Sequence, residues 1–296
     1  MAKIYHKPPL PFNGNKSKWI ANLEELINTK HLHFPKGTYI IDLFGGSGIL
    51  SQLFGKLFPD CHVIYNDFDH YTEIITKGSI DKINSFIDKL RKAFENKKYN
   101  KNDKLSDADA ITARKIVKSF WPRIIGDPSN KYKNDIYLSP KEEKIKNVIC
   151  SQICFSGRFN LEGDLYYKLT NGYEYIPDYL SKNIIVTHED YKTLYNKYKN
   201  KENVFFVMDP PYLSTSKSFY NNYWGIEETT KILDICINNK VILFESPKSE
   251  IIPLIKLIHE NLNNFYFRMS EPRKLFNKSS NEEYCVWFNY KKYLDI

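Results

Sequence analysis

Four consecutive residues in the C-terminal third combine a carboxylate, two prolines and an aromatic ring: Asp209, Pro210, Pro211 and Tyr212. The apolar run before them, residues 204–208, has the length and composition of a strand buried on both faces. Prolines cannot donate hydrogen bonds to a neighbouring strand, so the strand is predicted to stop at Asp209. Open α/β sheets bind ligands at the carboxyl ends of their strands, which makes this stretch a candidate binding site.

The chemistry of this stretch suits a flat substrate that carries an amino group. Asp209 and a carbonyl of the proline region can accept the two N–H bonds of such a group, and the Tyr212 ring can stack on its face. The alternative is a strand that ends in a stiff loop and binds nothing.

A glycine-rich turn follows another predicted strand near the N-terminus. Residues 38–42 are rich in β-branched side chains, Phe44-Gly45-Gly46-Ser47-Gly48 comes next, and an apolar periodicity then predicts an amphipathic helix. Glycines let a ligand approach the backbone and leave the N–H groups of the helix accessible. The turn lacks the full GxGxxG fingerprint and the Gly-Lys-Ser/Thr ending of a P-loop. It therefore predicts a nucleotide-type site of a different kind.

A second acid follows the next predicted strand, residues 62–65, as Asn66-Asp67. Asp67 lies roughly 20 residues after the glycine turn, where α/β nucleotide sites place a carboxylate on ribose hydroxyls. The alternative for Asp67 is a turn residue or a helix N-cap.

Further upstream, a proline-rich arm reaches Phe12, turns at Asn13-Gly14 and enters a predicted helix. Lys16 at this turn is either a site residue or a solvated charge.

Composition limits the class of protein. The chain has 296 residues, with 42% hydrophobic and 26% charged side chains, as expected for a globular protein. No apolar run approaches the ~20 residues of a membrane span, so no membrane association is expected. The five cysteines form no CxxC pair and no zinc spacing, which predicts reduced thiols in a cytoplasmic protein and no metal site.

Positive charge is concentrated in one segment. Residues 77–149 contain 18 Lys and Arg against 10 Asp and Glu, an excess equal to the net charge of +8 of the whole chain. Here the βαβ rhythm is replaced by two amphipathic helices joined by a polar linker, residues 95–104, which is predicted to contribute nothing to the core. We interpret the segment as a helical insertion whose basic surface faces a polyanion. The alternative is that its lysines and arginines only form a solvated surface. The candidate contacts in the linker are Lys97, Lys98, Lys101 and Lys104.

These pieces occur in an order that resembles the Dam-type, α-group DNA adenine-N6 methyltransferases, whose landmark is a DPPY motif. The resemblance rests on Phe12-Asn-Gly-Asn-Lys16, Phe44-Gly-Gly46-Ser-Gly48, Asn66-Asp67, the basic insertion and Asp209-Pro-Pro-Tyr212. Shorter stretches support it, namely Gly157-Arg158-Phe159-Asn160, Asp190-Tyr191 and the closing 283–290. The landmarks span nearly the whole chain.

The resemblance implies S-adenosylmethionine as methyl donor, double-stranded DNA as partner, and an adenine flipped out of the duplex as target. Asp209 and the Pro210 carbonyl would hold the amino group of the adenine, and Tyr212 would stack on its ring. Phe44, Gly46 and Gly48 would line the methionine end of the donor, Asp67 its ribose, and Asp190 with Tyr191 its adenine. The remaining donor-side residues would be Asp42, Phe12, Lys16 and Asp209, the last of which would also face the target base. In the aromatic stretch predicted to form a hairpin, the DNA contacts would be Phe155, Arg158 and Asn160; Arg158 would either contact a phosphate or read a guanine.

The expected fold is a Rossmann-like methyltransferase fold, a mostly parallel sheet with an antiparallel C-terminal hairpin, plus a mainly helical insertion. Residues 1–77 and 178–296 would form the catalytic domain, and residues 78–177 the target-recognition domain. We expect a monomer or weak dimer in the cytoplasm of a prokaryote or of a virus-infected host, with a cognate restriction nuclease as a further partner.

Several rival functions fit parts of the same pattern. The same chemistry could act on cytosine N4, on RNA adenine or on a protein glutamine, although Asp before the prolines disfavours glutamine. A DNA-binding protein with a decayed pocket, or a nicotinamide-dependent oxidoreductase, belongs to another class. The oxidoreductase explains neither the DPPY stretch nor the basic insertion.

Overall fold

The structure is a computed structural model that describes residues 3–12, 14, 16–29, 33–124, 138–154, 163–211, 225–246, 249, 251–262, 267–270, 273–274 and 282–289. The chain divides into two compact units. The first contains Met1–His6, Lys16–Phe68 and Leu180–Ile296, and the second contains Lys7–Asn15 and Asp69–Tyr179. The roles that we assign to these two parts of the chain stay predictions.

The first unit is built on one sheet. Its strands are β1 Tyr39–Asp42, β2 His62–Asn66, β3 Ile184–Thr187, β4 Val204–Met208, β5 Val241–Glu245, β6 Phe267–Met269, β7 Arg273–Lys274 and β8 Glu282–Phe288. They lie in the order β3-β2-β1-β4-β5-β8-β6, and β7 pairs with β8. Strands β1 to β5 pair in parallel, whereas β8 is antiparallel to β5, β6 and β7. The predicted mostly parallel sheet with an antiparallel C-terminal hairpin is confirmed.

The described helices are α1 Ser17–Thr29, α2 Ile49–Leu57, α3 Lys77–Phe94, α4 Asp107–Phe120, α5 Pro140–Ile153, α6 Tyr191–Tyr198, α7 Ile226–Asn238 and α8 Ile251–Leu262, with a 3₁₀ turn at Tyr71–Glu73. In the first unit, alternate residues of the central strands enter two separate cores. Phe205 and Val207 pack with α1 and α2, whereas Phe206 and Met208 pack with α6, α7 and α8. This alternation explains why the strand sequences are apolar throughout.

The second unit contains α3, α4 and α5 around its own core. The Ser106 side chain caps α4 by accepting the N–H of Asp109, as its sequence pattern predicts. The helix α5, which we did not predict, begins with a capping box of Ser139 and Glu142 around Pro140. The prediction that the linker contributes nothing to the core is wrong, because Tyr99 is partly buried against it.

The topology places a ligand-binding edge between β1 and β4. From β1 the chain proceeds to β2 and β3 on one side, whereas β5 lies on the other side of β4. Asp42, the last residue of β1, is paired with Val207 of β4, and the N–H of Leu43 donates to the Val207 carbonyl at 3.0 Å. Asp42 and Asp209 thus both stand at the carboxyl edge, at the point where the strand order reverses. No helix in the described parts of the chain is long and apolar enough to cross a membrane.

Candidate active site

The carboxylate of Asp209 forms an ion pair with Lys16. Asp209 directly follows β4, and its side chain is 18% exposed. Lys16 immediately precedes α1, where its carbonyl accepts the N–H of Trp19, and its side chain is only 4% exposed. The Lys16 Nζ lies 2.5 Å from Asp209 Oδ2. The structure therefore joins Lys16, predicted on the donor side, with Asp209, predicted to contact both the donor and the target base.

Glu283 is the second carboxylate at this ammonium group. Its Oε1 lies 3.1 Å from Lys16 Nζ, and its Oε2 accepts a hydrogen bond of 2.5 Å from Trp19 Nε1. Glu283 lies on β8 and is fully buried. We did not predict Trp19 or Glu283 as site residues. In the sequence, Glu283 opens the closing stretch 283–290 that supports the family resemblance, but nothing there assigns it a role in the site.

Burial dominates the protonation of the acids at this edge. It raises the pKa of Asp209 to about 7, while Lys16 opposes the rise and Glu283 adds to it. Burial likewise raises the pKa of Asp42 to about 7 and that of Glu245, the last residue of β5, to about 8. Burial acts to lower the pKa of Lys16, but the charges of Asp209 and Glu283 prevail, and that pKa is raised. Lys16 is therefore a cation at neutral pH.

The glycine turn has the conformation that its sequence requires. Gly46 and Gly48 have φ angles of 51° and 69°, in the left-handed region that favours glycine. A Cβ on Gly45 would overlap the Tyr65 ring, whose hydroxyl donates to the Gly46 carbonyl at 2.8 Å. Asp42 accepts a hydrogen bond of 2.6 Å from the Ser51 hydroxyl on α2. The first of these hydrogen bonds holds the turn to β2, and the second holds the helix after the turn to β1.

The other predicted donor-side residues of the first unit lie at the ends of strands β2 and β3. Asp67 is fully buried, and its Oδ1 lies 3.3 Å from the Tyr65 hydroxyl, whose hydrogen is directed at the closer Gly46 carbonyl. Asp190 caps α6 by accepting the Lys192 N–H at 2.9 Å. The rings of Phe44 and Tyr191 are in contact, with centroids 5.0 Å apart. The glycine turn and the Asp190-Tyr191 pair, far apart in sequence, thus share one edge of the sheet.

The predicted residues of the second unit are found on its surface and in its N-terminal arm. The Phe12 ring packs edge-on against Tyr71 at 5.4 Å. Lys97, Lys98, Lys101 and Lys104 are all exposed. Two of these lysines form ion pairs, Lys97 with Asp109 at 3.3 Å and Lys104 with Asp164 at 2.8 Å. Tyr212 of the first unit, and Phe155, Arg158 and Asn160, lie outside the described residues.

Fold and site together define a class. A Rossmann-like sheet, with a glycine turn after β1 and an acid followed by prolines after β4, is the framework of a methyltransferase. Among the described residues, no group of His, Cys, Asp or Glu is arranged to hold a metal ion.

Comparison with known proteins identifies the family. The family model described as D12 class N6 adenine-specific DNA methyltransferase matches residues 12–240, and the chain belongs to this family. A Haemophilus influenzae protein named "Putative methyltransferase" is 29% identical over 297 residues, which cover 94% of this chain and 88% of that protein. The chain is thus a DNA methyltransferase, and the predicted family is confirmed.

Proposed function

We propose that the protein transfers a methyl group from S-adenosylmethionine to N6 of an adenine that is flipped out of double-stranded DNA. The observation that carries this proposal is the position of Asp209. It stands after β4 at the sheet's switch point, beside the strand that leads into the glycine turn. A carboxylate at this position can accept a hydrogen bond from an amino group that lies next to a nucleotide-type ligand.

The residues of the first unit fit S-adenosylmethionine. The turn requires glycine at two positions, because a Cβ at Gly45 would strike Tyr65 and Gly48 has a left-handed φ. Phe44, Gly46 and Gly48 would hold the methionine end, with Asp42 beneath them, and Asp67 would hold the ribose. Asp190 and Tyr191 would hold the adenine, and Lys16 would complete the donor side within this unit. A donor-side role for Phe12, which belongs to the second unit, stays a prediction. The donor, when bound, supplies an electrophilic methyl group.

Asp209 works as a hydrogen-bond acceptor in this proposal. Its carboxylate and the Pro210 carbonyl accept the two N–H bonds of the target amino group, with Tyr212 stacked on the base. Both bonds direct the lone pair of the nitrogen away from the acceptors and stabilise the positive charge that develops on it. Only the ionised carboxylate accepts fully, and Lys16 opposes the effect of burial by favouring the ionised form.

The basic second unit would bind the duplex. Its exposed lysines, Lys97, Lys98, Lys101 and Lys104, would contact phosphates, and Phe155, Arg158 and Asn160 would contribute to sequence reading. A monomeric or weakly dimeric state, a cytoplasmic location and a cognate nuclease stay predictions.

Methyl transfer to defined nucleic acids tests the proposal. The purified protein is incubated with labelled S-adenosylmethionine and duplex DNA, and the hydrolysed DNA is analysed for methylated bases. We expect N6-methyladenine from the wild type. In Asp209→Ala we expect less than a few per cent of that rate with DNA affinity within a few fold, because the carboxylate acts on the base. Asp60→Ala, an exposed acid of the same unit, is the matched control.

The alternatives predict different products. Formation of N4-methylcytosine would identify cytosine, instead of adenine, as the target base. Methyl transfer to RNA alone would identify RNA, instead of DNA, as the substrate. DNA binding without any S-adenosylmethionine binding in a titration would instead identify a decayed pocket. Substantial transfer by a folded Asp209→Ala variant would remove Asp209 from the mechanism.

A further inference from the structure

We infer that Glu283 is a positioning residue that controls the charge state of Asp209 by sharing Lys16 with it. The inference deepens the proposed function, since it rests on Asp209 as the acceptor for the target amino group. Glu283 need not touch substrate or donor for this role. It acts through the ammonium group of Lys16.

The geometry around Lys16 fixes Glu283 by both of its oxygens. Trp19 Nε1 holds Oε2 at 2.5 Å, which leaves Oε1 directed at Lys16 Nζ, 3.1 Å away. The Trp19 ring is itself packed edge-on against Phe244 of β5 at 5.7 Å, and Lys16 Nζ lies 5.9 Å from the same ring. A carboxylate held this way on a strand cannot follow Lys16 if the ammonium moves.

One cation therefore serves two carboxylates. Lys16 Nζ is 2.5 Å from Asp209 and 3.1 Å from Glu283, so the attraction that it offers Asp209 is divided. The negative charge of Glu283 also acts on Asp209 directly. Both effects make Asp209 less acidic, so its carboxylate, once ionised, is a better acceptor for an amino group. A carboxylate that had Lys16 to itself would be a weaker acceptor.

The charge of Lys16 also lowers the pKa values of Asp42 and Glu245, but no ion pair in the described parts of the chain joins either acid to Lys16 Nζ. Asp42 raises the pKa of Asp209 directly, as Glu283 does, and Asp209 in turn raises that of Glu245. Glu283 is distinguished because it also contacts the cation that Asp209 uses. If Glu283 served only to join α1 to β8 through Trp19, its charge would not matter to Asp209.

Carboxyl titration by ¹³C NMR tests the inference without a turnover assay. The protein is labelled at its aspartate carboxyl carbons, and the Asp209 resonance is assigned by its loss in Asp209→Asn. In Glu283→Gln the amide has one acceptor for two donors and no charge, so we expect the pKa of Asp209 to fall by on the order of one unit. Glu25→Gln, which neutralises an exposed acid of α1, is the matched control, and we expect its Asp209 titration to stay within a few tenths of a unit of the wild type.

Activity gives a second readout. The acid limb of the kcat/KM profile should move to lower pH in Glu283→Gln by the shift seen in the titration, and should stay in place in Glu25→Gln. If the wild type transfers no methyl group, the proposed function fails, while the titration still decides the role of Glu283. An unchanged Asp209 pKa in folded Glu283→Gln overturns the inference.

A shorter acid covers the case in which Glu283→Gln does not fold. Glu283→Asp keeps the charge, but the shorter side chain cannot reach Trp19 and Lys16 together. Lys16 should then pair more strongly with Asp209. The Asp209 pKa should then fall in the same direction by a smaller amount. An unchanged or raised value in Glu283→Asp would overturn the inference equally.

Discussion

Replacing Glu245 by glutamine should remove part of the pH dependence of stability. Glu245 ends β5 and is fully buried, and its Oε1 accepts the Ser246 N–H at 3.0 Å. Burial raises its pKa from 4.5 to about 8; the Ser246 and Ser249 hydrogen bonds oppose the rise, and the charge of Asp209 adds to it. A glutamine oxygen can accept the same N–H bond without ionising.

The direction of the effect follows from proton linkage. Between pH 4.5 and about 8 the folded protein keeps the Glu245 proton, whereas the unfolded chain releases it. Rising pH therefore favours the unfolded chain, and the loss of stability is complete above the folded pKa. Each unit of pH within this window corresponds to about 1.4 kcal/mol, so the wild type should lose ~2.7 kcal/mol more than Glu245→Gln between about pH 5 and about pH 7.

Urea unfolding followed by tryptophan fluorescence measures this difference at several pH values. The free energies of unfolding of the two proteins should converge near the acid end and separate steadily toward neutral pH. Asp42 and Asp209 titrate in both proteins, so their contributions largely cancel. Glu25→Gln, at an exposed position of α1, is the control and should give a curve parallel to the wild type. Parallel curves for Glu245→Gln would refute the argument that burial keeps Glu245 protonated.

Two further predictions concern ligands. Asp67→Ala should weaken S-adenosylmethionine binding, because two charge-assisted hydrogen bonds to the ribose, each worth roughly 1.5–3 kcal/mol, would be lost; an unchanged calorimetric Kd in a folded variant would leave Asp67 as a turn residue. The salt dependence of DNA binding should separate the linker lysines, since each phosphate neutralised contributes about −0.9 to the log–log slope. Alanine at Lys98 and Lys101 should flatten the slope by up to ~1.8, and alanine at Lys97 and Lys104 by less, because acids already pair with these two. Equal slopes for both double variants in fluorescence titrations would mean that the ion pairs do not reduce the contribution of Lys97 and Lys104 to phosphate binding.

Local signals made part of the site predictable. The end of β4 before Asp209 follows from two prolines that cannot pair, and the glycine turn follows from positions with left-handed φ. Both features are set by a few neighbouring residues, so one sequence suffices to find them. The parallel sheet was predictable for the same reason, because a strand covered on both faces is apolar at every position.

The contacts that complete the site were not predictable. The hydrogen bond from Trp19 to Glu283 joins residues 264 positions apart, and nothing local marks either as a partner. Trp19 fits the apolar face of a helix equally well, and Glu283 fits the edge of a strand. The helix α5 was missed for another reason. Its start, Ser139-Pro140 with Glu142, is a readable capping box, but the charged residues that follow obscured its apolar periodicity.

The order of the strands along the chain also determines when the site can be assembled. β1 pairs with β4, yet the whole segment Asp69–Tyr179 is synthesised between them. Domains tend to fold as units while synthesis proceeds, so we expect the second unit to form its core while Asp42 still lacks its β4 neighbour. Glu283 comes later still, on β8. A nascent chain that has already produced the glycine turn and Asp209 therefore cannot yet bury Lys16 between its two carboxylates. Ribosome pausing before β8 would prolong a state in which the sheet is partly formed but Glu283 is not yet beside Lys16.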